Sequence, residues 1–181
     1  GNIADYYFWL GDYEPETTRL FQQLVRDAPC VLDIGARDGL FSLIAAATSP
    51  STRVIAFEPA PVALASWRRN VARNRRTVGD RVGASPVALD DHDGSGTFFL
   101  AGGNSSLNPG FRSGAVPIDV EIRAGDSLLE ELAPDTTVGV IKVDTEATEP
   151  RVLAGLARRI ERDCPAILVE ALAGGTEQAL E

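Results

Sequence analysis

Apolar positions along the chain fall into runs of two kinds. Short runs at Cys30–Ile34, 53–58, 138–144 and 165–170 are of strand length and apolar at successive positions, as in strands buried on both faces. Between them the spacing becomes helical. Leu40–Thr48 reads as a helix, and so does 61–74, with Pro61 in the first turn and Leu64, Trp67 and Val71 on one side. A third helix spans 149–163, with Val152, Leu153, Leu156 and Ile160 on one face. Residues 82–89 read as a further strand, broken by Pro86. Residues 97–101 and 116–122 alternate as an antiparallel pair joined by a Gly/Asn/Ser/Pro-rich loop, and 127–132 is a short helix. The order β-α-β-α-β…β-α-β predicts a doubly wound, mostly parallel α/β sheet with helices on both faces. Residues 1–29 read as a helical lead-in with aromatics at Tyr6, Tyr7, Phe8, Trp9 and Tyr13, and 30–181 as the main domain.

Composition narrows the partners. The 181 residues are 44% hydrophobic and 24% charged, which fits a globular domain and argues against collagen, coiled coil or disorder. With 17 basic and 26 acidic residues the net charge is −9, unsuited to phosphate backbones or anionic lipid, so neither nucleic acid nor membrane is expected as a partner. No apolar stretch is long enough to span a bilayer. Cys30 and Cys164 lie far apart without a CxxC spacing. They read as two buried thiols in a reducing, cytoplasmic compartment. The chain starts at Gly1 and has no methionine, which reads as a piece of a larger polypeptide.

In a sheet of this kind ligands bind beyond the carboxyl ends of the strands. The first strand ends in Asp33-Ile34-Gly35-Ala36-Arg37-Asp38-Gly39, a glycine turn feeding a helix. Arg37 stands where a dinucleotide fold needs its second glycine, and Asp33 would repel a pyrophosphate. A ligand with a cationic amino-acid end would suit Asp33. Glu58, 23 positions after Gly35 and followed by Pro59, is placed to take ribose hydroxyls. Adenosine without a pyrophosphate, carrying an amino-acid end, describes S-adenosylmethionine. At the next strand end Leu89 would cover an adenine face, and Asp90 or Asp91 would accept from its amine. His92, the sole histidine, lies in a hydrophilic turn and reads as an exposed spectator. Lys142 and Asp144, two apart in a strand, share a face within a buried run, so they should pair. Asp144 would then face the reacting group, with Lys142 orienting it; a purely structural ion pair is the alternative. Asp144 and Glu170 would together suit a divalent ion such as Mg²⁺, although no dense ligand cluster demands a metal.

Taken together, these segments resemble the FkbM family of S-adenosylmethionine-dependent methyltransferases. The resemblance rests on Val31-Leu32-Asp33-Ile34-Gly35-Ala36-x-x-Gly39-x-Phe41-Ser42, Ala56-Phe57-Glu58-Pro59 and Ala88-Leu89-x-Asp91-x-x-Gly94. It continues through Asn104-Ser105-Ser106-Leu107, Ile141-Lys142-Val143-Asp144-x-Glu146, Glu149-x-x-Val152-Leu153 and Pro165-x-Ile167-x-x-Glu170, with Gly11-Asp12-Tyr13-Glu14 upstream. It implies a Rossmann-like, class I methyltransferase fold that O-methylates a hydroxyl of a small molecule such as a sugar or natural product. It further implies that Asp33, Gly35, Ala36, Gly39, Glu58 and Pro59 hold the cofactor, and that Asp144 or Glu146 takes the proton beside Lys142. Tyr13, Glu14, Asn104, Ser105 and Glu170 would contact the acceptor. The family pattern has Asn where Arg37 stands and Gly where Ala147 stands. Only 11 residues follow Glu170, so the last antiparallel strands are not expected here. The open edge of the 165–170 strand would then pair in a homodimer or with a missing chain segment. Two other functions compete: a non-catalytic or trimmed cofactor-binding module within a larger synthase, and a nicotinamide-dependent oxidoreductase, which Arg37 and Asp33 oppose.

Overall fold

The computed structural model describes residues 13–101, 105–109 and 113–170. Five strands form an all-parallel sheet: β1 (Cys30–Ile34), β2 (Arg53–Phe57), β3 (Val82–Ser85), β7 (Val140–Val143) and β8 (Ala166–Val169), in the order β3-β2-β1-β7-β8. The chain first builds outward from β1 through β2 to β3, then returns to β1's other side with β7. The strand order therefore reverses at β1, and the crevice between the carboxyl ends of β1 and β7 is the expected ligand position.

Alternation along β1 sorts the core into two layers. Cys30, Leu32 and Ile34 face Leu128, Leu129, Val152 and Leu156 from α5 (Gly125–Leu132), α6 (Glu149–Gly155) and the residue after it. Val31 faces the other layer, with Phe21 and Val25 of α1 (Pro15–Val25) and Phe41, Ile44 and Ala45 of α2 (Leu40–Thr48). The lead-in helix α1 is thus part of the main core, and Phe21 meets Phe41 edge to face at 5.1 Å.

Two expected elements divide. Pro86 has no N–H for a ladder, and the 82–89 run separates there into β3 and β4 (Val87–Asp90). β4 leaves the main sheet to pair parallel with β6 (Val116–Ala124). The antiparallel pair is present as β5 (Gly94–Leu100) and β6, completing a three-stranded sheet in the order β4-β6-β5. The 149–163 helix is interrupted at Leu156, giving α6 and α7 (Ala157–Asp163). Cys30 is buried as expected, and burial pushes its thiol up to about 11. Cys164 is exposed instead: it ends α7 in the left-handed region at φ 47°. No helix among the described residues is long and apolar enough to cross a membrane.

Candidate active site

A cavity of about 540 Å³ opens over the carboxyl ends of β1, β2, β4 and β7. Its floor is the glycine turn. Gly35 has φ 77°, and a Cβ there would lie 1.8 Å from the Asp144 carbonyl oxygen, so glycine is required where the β7 end crosses β1. Arg37 lies in the left-handed region at φ 52°. Its amide donates to Glu58 Oε2 at 2.8 Å, while the Ala60 amide donates to Oε1 at 2.8 Å. Glu58 therefore ties the turn after β1 to the turn after β2 and the start of α3 (Pro61–Arg73), which the short α4 (Arg75–Val78) follows. Each carboxylate oxygen keeps acceptor capacity for a ligand hydroxyl. Burial pushes the Glu58 carboxyl up to about 7, against the pull of these amides.

Asp33 lies beneath the turn, fully buried. Ser42 donates to its Oδ2 at 2.5 Å, and Trp67 Nε1 donates to Ser42 Oγ at 3.1 Å. Its Oδ1 has no hydrogen-bond partner among the described residues. Burial pushes the Asp33 carboxyl above its ordinary value, partly offset by Lys142. Asp33 and Lys142 are paired in register across β1 and β7, which puts a buried carboxyl beside a buried ammonium.

Lys142 is the central cation. Its Nζ lies 3.1 Å from Asp144 Oδ2 and 4.6 Å from the centre of the Phe41 ring. Burial opposes its charge, but Asp144 and Asp33 hold its pKa above the ordinary lysine value. For Asp144, burial acts upward; the Lys142 charge and hydrogen bonds from Glu170 and Lys142 outweigh it and keep the carboxyl below its ordinary range. Glu170 moves the other way: its hydrogen bond to Asp144, then burial, push it up to about 8. The two carboxyls thus disfavour ionising together, and Asp144, beside Lys142, keeps its charge more readily than Glu170.

The expected site residues divide as follows. Tyr13, Gly35, Ala36, Glu58, Pro59, Leu89, Ser105, Lys142, Asp144, Glu146 and Glu170 all line the cavity. Asp33 and Gly39 support it from below: a Cβ on Gly39 would lie 2.7 Å from Trp67 Cδ1, so this glycine serves packing. Glu14 lies outside the lining, as do Asp90 and Asp91. A Cβ on Gly155 would lie 1.9 Å from the Asp90 carbonyl oxygen. Helix α6 therefore packs directly on the end of β4, and Arg151 takes the Asp90 carboxylate at 2.8 Å. Asp91 lies 2.8 Å from exposed His92, and neither residue is part of the cavity lining. Asn104 lies outside the described residues.

Sequence reasoning missed several groups. Glu149, read as an ordinary helix start, is buried and accepts from Thr145 N at 2.9 Å and Ala147 N at 3.2 Å, shaping the loop that carries Asp144 and Glu146. Ser106 holds the same loop from the opposite side, bonding Glu146 O at 2.6 Å. Phe98, Leu100 and Leu107 give the cavity an apolar wall.

An open parallel sheet with its crevice at the strand reversal, a glycine turn and an acidic second strand end define the Rossmann-like methyltransferase fold. The same architecture is found in the crystal structure of methyltransferase FkbM from Methylobacillus flagellatus KT, with a TM-score of 0.64 and 18% identity over 85% of this chain and 36% of that one. The Methyltransferase FkbM domain profile matches residues 33–179, and the chain belongs to that family. It is 32% identical over 158 residues to methyltransferase sdnD of Sordaria araneosa, covering 71% of this chain and 60% of that protein. It is 30% identical over 164 residues to 31-O-demethyl-FK506 methyltransferase FkbM of Streptomyces tacrolimicus, covering 73% and 61%. The chain thus spans about 60% of the length of these curated relatives.

Proposed function

We propose that this chain binds S-adenosylmethionine and transfers its methyl group to a hydroxyl of a small molecule. The observation that carries this reading is one cavity lined both by the Gly35–Arg37 turn and Glu58 and by Lys142, Asp144, Glu146 and Glu170. The residues fit the cofactor. A cavity of about 540 Å³ suits a ligand of that size. Glu58 offers acceptors for two ribose hydroxyls, Leu89 offers an apolar face for a base, and the buried Asp33 carboxyl favours a cationic end. Membership of the FkbM family supports the reading, as does the Streptomyces tacrolimicus relative, which is named for methyl transfer to an oxygen.

When bound, the cofactor's sulfonium supplies an already activated methyl group. What the protein adds is alignment, exclusion of water and a place for the proton. Asp144 is held ionised and oriented by Lys142 at 3.1 Å, so it accepts a hydrogen bond from the acceptor hydroxyl and takes its proton as the new bond forms. A base that acts late need not be strong, which suits a carboxylate. Tyr13, Ser105 and Glu146 also line the cavity and would contact the acceptor.

The test compares methyl transfer by Asp144→Asn and His92→Ala variants. The expected result is a loss of about 10²–10⁴-fold in the aspartate variant, the usual share of a positioned acid or base, with the histidine variant unaffected. A dead histidine variant beside an active aspartate variant would show that the proton goes elsewhere.

A further inference from the structure

The loop that presents Asp144 and Glu146 is held in a conformation its own residues disfavour. Glu146 at φ 57° and Ala147 at φ 76° are both in the left-handed region, where a Cβ crowds the following carbonyl. Consecutive residues of this kind persist only when their surroundings impose the geometry. Two buried side chains do so. Glu149 gathers the loop's amides from one side. Ser106 takes its carbonyls from the other, with Oγ 2.6 Å from Glu146 O and 3.4 Å from Thr145 O.

Ser106 is itself rigidly placed. It is fully buried, its backbone exchanges both hydrogen bonds with Phe99 of β5, and its Oγ accepts the Asn108 amide at 3.0 Å. The same hairpin supplies Phe98, Leu100 and Leu107 to the cavity wall. One hydroxyl thus connects the second sheet's apolar wall to the loop of the first sheet that carries the carboxylates.

We infer that Ser106 is a positioning residue: its hydroxyl locks the Asp144–Ala147 turn to the β5–β6 hairpin, fixing the spacing between the carboxylates and the apolar wall so that the acceptor hydroxyl is held in line for transfer. The catalytic part of this inference rests on the proposed methyl transfer. The structural part, the locking of the turn, does not.

The experiment is amide hydrogen exchange resolved by residue on Ser106→Ala, with S-adenosylhomocysteine affinity and transfer kinetics measured on the same protein. Loss of one buried hydrogen bond should speed exchange at the Thr145 and Ala147 amides by about fivefold to tenfold. Amides of β1 and β2 should keep their protection, and affinity for S-adenosylhomocysteine should stay within about twofold, because Glu58 and the glycine turn are untouched. Transfer should lose kcat with the cofactor KM unchanged. If Ser106→Ala does not fold, Ser106→Cys, of similar size but a weaker donor, should give the same selective loosening to a smaller degree. Unchanged protection at Thr145 and Ala147, or faster exchange spread evenly over the molecule, would overturn the lock. Selective loosening with an unaltered kcat would overturn the positioning role. If wild type transfers no methyl group, the proposed function fails while the exchange result still decides the lock.

Discussion

Glu58 stands in an unusual position for a binding carboxylate, because it is both buried and committed to two backbone amides. Its ordinary carboxyl pKa of 4.5 is raised to about 7. A folded-state pKa above the unfolded one means that the folded protein takes up the proton more readily. This contribution to stability is full below about pH 4.5 and is lost as pH rises towards 7. Ligand binding has the opposite sign, since ribose hydroxyls donate to the ionised form. Calorimetry with S-adenosylhomocysteine should show affinity rising by up to about tenfold between pH 6 and 8, the ionisation change for a group titrating near 7. Glu58→Gln should flatten that rise; an equal pH dependence in the variant would assign it to another group. At this scale the sequence was readable where chemistry conflicts with burial. Asp33, Glu58 and Lys142 stood out as charges in apolar strands. The packing around Asp90 was not readable, because it depends on how closely α6 approaches through Gly155, a contact between segments far apart in sequence.

The elements themselves follow from simple patterns. Continuous apolar runs gave the parallel strands, and helical spacing gave α2 and α3. Pro86 marked a break, but not that β4 would join a second sheet, because a missing N–H ends a ladder without saying which strand pairs next. The loop after β7 was the least readable element. The resemblance leads to an expectation of Asn at 37 and Gly at 147, residues that suit the positive φ both positions have, at 52° and 76°. Here Arg37 and Ala147 adopt it with a Cβ in place. Ala147→Gly should remove about 1–2 kcal/mol of left-handed strain and forfeit about 0.4–1 kcal/mol through a freer unfolded chain, a net gain of roughly 0–1.5 kcal/mol. Urea denaturation followed by circular dichroism would measure it. A variant less stable than the parent would mean that the alanine side chain contributes packing that outweighs the strain.

Across the molecule, the two sheets meet at the cavity. The five-stranded sheet supplies the glycine turn, Glu58 and the Lys142–Asp144 pair, and the three-stranded sheet supplies the apolar wall. Among the described residues β8 pairs only with β7, and its Ile167 is 39% exposed. We propose that its outer side takes a further strand, from a second copy or from additional polypeptide, since unpaired strand edges template such association. Sedimentation equilibrium of the 181-residue chain should show concentration-dependent dimer. A monomer at all concentrations that also transferred methyl groups at an ordinary rate would contradict it. Calorimetric titration of wild type and Glu58→Ala with S-adenosylhomocysteine and with NAD asks whether the cavity is built for S-adenosylmethionine. Wild type should bind S-adenosylhomocysteine and not NAD, and the variant should lose about 1–3 kcal/mol of that affinity, the scale of hydrogen bonds to a charged group. Tighter binding of NAD, or identical S-adenosylhomocysteine affinity in the two proteins, would contradict it.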